Sequence, residues 1–336
     1  MKKSLLALSI LGAFSGVAQA QTNVTMYGVV DAGIVRIDDG KAKTTKLDSG
    51  IYSGSRLGFK GTEDLGGGLN ALFVLETGLN VDTGGFAQSN TPFGRQTFVG
   101  LNGGFGTVKL GRQTTFSYVS QAAIDPFGIG LAGDSTKFFA GALRINNTIR
   151  YESPNLSGFT AQFSHSFGEV VGKSSDGSNN AIAAQYTNGP IFISTFYDVS
   201  NNVTSAVPLV TSNKTKIANI GGTYDFGVVK THLMYDRVKD DNNKNQRDLL
   251  VGATVPFGAS SFLVDYIKHT DKGTTSSDAK QYAIGYTYSM SKRTTLYTSY
   301  SRTSNDAGAA FGGISGVPAN AGLSYKNFDV GVRHTF

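Results

Sequence analysis

Along most of the chain, apolar and polar residues alternate with a period of two. This is the pattern of a β-strand with two unlike faces, not the 3.6-residue period of a helix. Between Ser55 and Gly61, Leu57 and Phe59 point one way and Arg56 and Lys60 the other. Between Leu69 and Asn80, Ala71, Phe73 and Leu75 share one face, while Asn70 and Glu76 take the other. From Val24 onward the pattern predicts sixteen strands, at about 24 to 37, 51 to 63, 69 to 80, 94 to 101, 105 to 112, 146 to 153, 159 to 167, 181 to 187, 191 to 200, 216 to 226, 228 to 239, 248 to 257, 260 to 269, 280 to 289, 294 to 303 and 323 to 336.

The connections narrow the fold class. Short ones rich in Gly, Asn, Ser or Pro, such as Asp64 to Gly68 and Asn188-Gly189-Pro190, alternate with longer polar ones, such as Gly168 to Asn180, Asn201 to Thr215, Asp240 to Arg247 and Ser304 to Gly322. A soluble sandwich also has alternating strands, but strict alternation of turn and loop is what a membrane barrel requires. The expected fold is all-β: a transmembrane 16-stranded antiparallel β-barrel. It is closed because hydrocarbon offers no partner to a free strand edge, and too wide for side chains to fill its lumen. The third long connection, Gln113 to Leu143, is far longer than an ordinary loop, and such stretches are usually functional. Its Phe116, Ile124, Phe127, Ile129, Leu131, Phe138 and Phe139 predict that it packs against something.

Composition agrees with this reading. Only 40% of the 336 residues are hydrophobic and the mean hydropathy is −0.12, so a bundle of membrane helices is excluded. The first twenty residues read as a secretory signal, with Lys2 and Lys3 ahead of the apolar Leu5 to Val17 and the small-residue site Ala18-Gln19-Ala20. The expected organisation is a cleaved signal peptide over 1–20 and a barrel over 21–336. Cysteine is absent, so an exported chain must hold together without disulfides. The formal charge of +6, or +4 without the two leader lysines, is not gathered into any basic run, and nucleic acid is not an expected partner.

Catalytic and cofactor chemistry find little footing. Of the four histidines, His165, His232, His269 and His334, none stands in a recognisable Ser or Asp motif. Asp64-Leu65-Gly66-Gly67-Gly68-Leu69 lacks the Lys-Ser/Thr of a phosphate loop and precedes a strand. No His or carboxylate spacing suggests a metal, so neither cofactor nor metal is expected.

Several segments together resemble a known family. They are Val24-Thr25-Met26-Tyr27-Gly28-Val29-Val30-Asp31-Ala32-Gly33, the run Gly54-Ser55-Arg56-Leu57-Gly58-Phe59-Lys60-Gly61 continuing to Leu69, Phe105 to Arg112, Tyr151-Glu152-Ser153-Pro154-Asn155-Leu156-Ser157-Gly158-Phe159, and the terminal Val330-Gly331-Val332-Arg333-His334-Thr335-Phe336. The mature chain resembles the Gram-negative trimeric general diffusion porins, particularly the beta-proteobacterial branch. The resemblance implies an outer-membrane homotrimer whose long third loop folds inward to narrow a water-filled channel for small hydrophilic solutes and ions. It also implies a ladder of wall arginines facing loop carboxylates. By motif position Arg56 and Arg112 are the leading candidates, with Arg144 and Lys60 beside them and Asp125 and Asp134 on the loop. Asp125-Pro126-Phe127-Gly128 stands where the best-known members carry Pro-Glu-Phe-Gly-Gly, which leaves open which carboxylate faces the arginines. The excess of arginine suggests a weak preference for anions. Phe328, Val330, Val332 and Phe336, interrupted by His334, resemble the terminal signal read by the barrel-assembly machinery. Outer-membrane lipid and lipopolysaccharide are the implied surroundings. A substrate-specific channel and, further off, a barrel enzyme are the competing functions.

Overall fold

The computed structural model describes residues 23–88, 91–206, 209–273 and 277–336, so the leader segment lies outside the described residues. The chain runs through β1 (Asn23–Asp38), β2 (Lys43–Ser49), β3 (Arg56–Gly66), β4 (Leu69–Asn80), β5 (Gly85–Phe86), β6 (Gln96–Gly103) and β7 (Gly106–Thr114). Helix α1 (Phe116–Ile124) and a 3-10 turn (Ser135–Lys137) follow. The chain then continues as β8 (Arg144–Glu152), β9 (Phe159–Ser166), β10 (Asn179–Asn188), β11 (Ile191–Ala206), β12 (Leu209–Asp225) and β13 (Lys230–Asp240). Last come β14 (Asn245–Phe257), β15 (Ser260–Asp271), β16 (Ala279–Ser289), β17 (Thr294–Asn305) and β18 (Tyr325–Thr335).

Each strand pairs antiparallel with its neighbours, and β18 returns to β1 from Val29↔Thr335 to Asp38↔Lys326, closing the sheet. β2 and β3 both pair with β1, on its two halves, and share one position in the wall, while β5 pairs only with the end of β4. Sixteen wall positions result, as the alternation predicted. The last residue completes the closure: Gly28 and Phe336 exchange two backbone hydrogen bonds of 3.1 Å. The Phe336 ring lies where a side chain at position 28 would sit, 2.3 Å from a Cβ placed there, so only glycine fits.

Two boundaries differ from the expectation. The second wall strand was expected at 51 to 63 but is split into β2 and β3, and residues 50–55 leave the ladder. The cause is Asp31, fully buried, whose carboxylate accepts from the N–H groups of Ile51, Tyr52 and Ser53 at 3.1, 3.1 and 2.9 Å and from the Tyr297 hydroxyl at 2.7 Å. Asn201 to Thr215, expected as a loop, is mostly ladder, with β11 and β12 paired as far as Ala206↔Leu209. Polarity marks exposure to water there, and a strand that runs on beyond the apolar band keeps its backbone pairing all the same.

One wall face is apolar and exposed, carrying Ile220, Leu233, Val251, Val264, Ile284 and Val330. Phe328, Val332 and Phe336 lie on it as expected. The other face is mixed. It holds the charged residues Asp236, Asp248, Asp265 and Asp329, but also buried Met234, Leu250, Leu263 and Ile267. The apolar members of this second face mark where the long third loop docks.

Candidate functional site

The third loop starts where Thr115 caps α1, its Oγ1 accepting from the Tyr118 N–H at 3.1 Å. Arg150 fastens this start: its guanidinium lies 4.5 Å from the centre of the Phe116 ring and donates to the Thr114 carbonyl. Phe116 then buries against Phe196, Ile217 and Val238, Ile124 and Phe139 against Met234, Leu250 and Ile267, and Phe127 and Leu131 against Leu263, Ala283 and Tyr297. Of the seven apolar loop residues named from the sequence, only Ile129 is less than buried. Hydrogen bonds tie the backbone down as well. The Ile124 carbonyl meets His232 Nδ1 at 2.5 Å, the Ala132 N–H donates to Ser299 Oγ at 2.8 Å, and Gln281 Nε2 donates to the Gly133 carbonyl at 3.2 Å. The loop leaves from β7 and returns to β8, yet these partners include β15, β16 and β17 on the far side of the sixteen-position ring.

Both loop aspartates are committed to the loop itself. Asp125 is buried and accepts from the N–H groups of Phe127, Ile129 and Ser135 at 2.8, 3.1 and 2.9 Å. Burial outweighs those donors and pushes its carboxyl up to about 6. Asp134 caps the 3-10 turn by accepting from the Thr136 N–H at 2.8 Å. Lys137 donates to the Ala132 carbonyl at 2.6 Å, and burial lowers its pKa against the opposing pull of Asp134, Asp329 and Asp265.

On the wall, Arg56 and Arg144 come together with three residues that sequence reasoning missed: Arg95, Glu76 and Arg333. Arg95 Nε donates to Glu76 Oε1 at 2.7 Å and the Tyr27 hydroxyl donates to Oε2 at 2.9 Å, in a buried pair. Arg56, whose Nε donates to the Gly54 carbonyl at 2.9 Å, lies in the field of Arg95, Glu76, Tyr118 and Arg333. Arg144 interacts with Arg95, Glu76 and Arg112, and its guanidinium sits 5.5 Å over the Tyr118 ring. Arg333 donates to Ser53 Oγ at 2.8 Å and lies 5.5 Å over the Tyr52 ring. The loop therefore meets this group with Tyr118 on α1. Glu76 and Arg333 were legible by parity, since each stands opposite the apolar face of its strand, whereas Arg95 fell in the expected strand at 94 to 101 with the parity of Val99 and Leu101, and precedes β6 in the structure.

Of the remaining two candidates, Lys60 stands apart from the group, whereas Arg112 borders it through Arg144. Lys60 is exposed, 5.5 Å over the Tyr27 ring and four residues along β3 from Arg56, about 13 Å at ~3.3 Å per residue. Arg112 pairs in register with Thr97 on the β6 side, but towards β8 it is the extra residue of a β-bulge between Gly111 and Gln113, and it is half-buried. Its Nε donates to the Gly94 carbonyl at 2.8 Å and its Nη1 to Asn146 Oδ1 at 2.5 Å.

A closed sixteen-position barrel with an arginine cluster on its wall has clear relatives. The Gram-negative porin family model matches residues 7–308. The chain belongs to this family. The porin is 32% identical to outer membrane porin proteins of Bordetella pertussis and Delftia acidovorans, each over the full length of both chains. Its fold superimposes on a structure titled as an anion-selective porin from Comamonas acidovorans with a TM-score of 0.82 and 31% identity, covering 94% of this chain and all of that one. It is an outer-membrane protein whose barrel serves passive diffusion.

Proposed function

We propose that the porin passes small hydrophilic solutes and ions through a lumen narrowed by its inward-folded third loop, with a weak preference for anions. The constriction lies between Tyr118 on α1 and the wall group Arg56, Arg95, Arg144 and Arg333. The observation that carries this reading is charge balance: four arginines stand beside two carboxylates, Glu76, already paired with Arg95, and Asp31, opposite Arg333 in the ladder and taken up by the amides of Ile51, Tyr52 and Ser53 and by the Tyr297 hydroxyl. Asp125 and Asp134, turned to the loop's own backbone, leave that excess uncompensated. Rings of arginine or lysine select anions, and low-dielectric walls focus their field. The relative titled as anion-selective supports the same sign.

The surrounding biology follows the family resemblance. Residues 1–20 act as a cleaved export signal, three barrels form a homotrimer, and the exposed Phe328, Val330, Val332 and Phe336 guide the barrel-assembly machinery. Outer-membrane lipid and lipopolysaccharide contact the apolar face. Liposome swelling with sugars of graded size tests the channel: flux should fall smoothly with solute size. Saturable uptake of one sugar would instead make it a substrate-specific channel, and no flux would refute the channel.

A further inference from the structure

The four arginines of the constriction wall carry like charges on long side chains, so repulsion and rotamer entropy both favour their splaying apart. Something must hold each one in place. Arg95 is paired with Glu76, and Arg144 stands over the Tyr118 ring. Arg56 and Arg333 make no ion pair among the described residues. Both are held instead by residues 50–55, the segment that leaves the ladder between β2 and β3. Arg56 Nε donates to the Gly54 carbonyl at 2.9 Å. Arg333 Nε donates to Ser53 Oγ at 2.8 Å, with its guanidinium 5.5 Å over the Tyr52 ring. Glycine at position 54 also leaves room for Arg95, whose Nη1 lies 2.8 Å from where a Cβ would be.

These acceptors are neutral, and that distinguishes them from an ion pair. A carboxylate would orient an arginine and cancel its charge, whereas a carbonyl or hydroxyl dipole orients it and leaves the charge to act on the pore. The carboxylate that gathers the segment, Asp31, is fully buried and is taken up by the N–H groups of Ile51, Tyr52 and Ser53 and by the Tyr297 hydroxyl. Ser55 closes the far end: its Oγ accepts from the Asp31 N–H and donates to the Asp31 carbonyl, each at 3.0 Å. The same segment meets the third loop. The Leu131 N–H donates to the Ile51 carbonyl at 2.6 Å, and the Tyr52 carbonyl takes the space where a side chain at Gly130 would start.

We infer that residues 50–55, gathered by Asp31 and Tyr297, are a specificity-determining element of the pore. They position Arg56 and Arg333 through neutral acceptors, so the anion preference depends on Ser53 and on the Asp31–Tyr297 pair as well as on the arginines themselves. This rests on the anion-preferring constriction proposed above.

Salt separates a charge that is displaced from one that is lost. At 0.01 M the Debye length of about 30 Å exceeds the reach of any side chain and an arginine counts wherever it stands, whereas at 1 M, with about 3 Å, only one held at the narrow point counts. The test reads the zero-current potential of the intact porin in planar bilayers, at one KCl ratio, in dilute and in concentrated salt. The wild type should prefer anions in both, less so in concentrated salt. Ser53→Ala and Tyr297→Phe should keep the wild-type potential in dilute salt and fall toward zero in concentrated salt. Ser53→Thr, which retains the hydroxyl, should match the wild type throughout, and Arg333→Gln should move toward cations in both. Wild-type potentials in Ser53→Ala and Tyr297→Phe at both salts would overturn the inference. So would a loss at both, which marks a collapsed wall, or a wild type with no preference in concentrated salt. Arg333→Gln with the wild-type potential would instead overturn the proposed constriction.

Discussion

Replacing Phe127 with alanine tests how the third loop is held. The ring is fully buried among Leu131, Leu263, Ala283 and Tyr297, in space left by two glycines: a Cβ on Gly133 would lie 2.3 Å from it and one on Gly285 2.8 Å. Residue 127 takes no part in the wall ladder, and its wall contacts Leu263, Ala283 and Tyr297 keep their backbone pairing without the ring, so the loss falls on loop docking and not on barrel closure. A buried Phe→Ala change costs about 3 to 5 kcal/mol. At about 1.4 kcal/mol per factor of ten, local opening of the loop should become roughly 10² to 10³·⁵ times more frequent. Amide hydrogen exchange reads this at Leu131, which donates to the Ile51 carbonyl at 2.6 Å, and at Ala132, which donates to Ser299 Oγ at 2.8 Å. Both amides should exchange faster by that factor, while the amide of Leu250 in β14 should keep its rate. If Leu131 and Ala132 exchange as in the wild type, the apolar anchor does not hold the loop and the packing argument is wrong.

Two further predictions concern the wall and the loop knot. Leu57→Arg puts a charge on the lipid face at a cost of about 2 to 4 kcal/mol near the membrane midplane, and should reduce the heat-modifiable folded form on gels, whereas Arg56→Leu should leave it intact. Equal folding of the two variants would remove the distinction between the faces. Asp125 binds its proton more tightly in the folded loop than in an unfolded chain. Its contribution to stability is therefore complete below its ordinary carboxylate range and is lost as pH rises to about 6, with no further change above. Exchange at the amides of Phe127, Ile129 and Ser135, corrected for intrinsic rate, should speed up over that window in the wild type and stay flat in Asp125→Asn; a parallel slope in the variant would assign the titration elsewhere.

The parts of this barrel that were legible in the sequence are those set by a repeating solvent boundary. Alternation such as Leu57 and Phe59 against Arg56 and Lys60 reports lipid on one side, and it gave both the strand number and the exposed terminal face. The apolar residues of the third loop announced a docked segment, and the runs Leu233-Met234 and Leu249-Leu250-Val251, apolar on both faces, mark the wall that receives it. What stayed hidden depends on contacts distant in sequence. Nothing local shows that Asp31 will capture the amides of Ile51, Tyr52 and Ser53 and split a strand. Asp125 looks like a pore carboxylate until the loop folds around it. Arg112 was placed by motif position, and the β-bulge between Gly111 and Gln113, which alternation alone does not announce, sets its direction.

The central claim is that Arg56, Arg95 and Arg144 set the charge preference of the constriction. The most direct measurement is the zero-current potential of purified porin in a planar bilayer across a KCl gradient, for the wild type and for a variant with all three changed to glutamine. The wild type should favour anions, most strongly in dilute salt, because the Debye length falls from about 30 Å at 0.01 M to about 3 Å at 1 M. The variant should shift toward cations, since Glu76 then stands without its partner, whereas Arg112→Gln alone, at the edge of the group, should shift it less. A triple variant with the potential of the wild type would contradict the account.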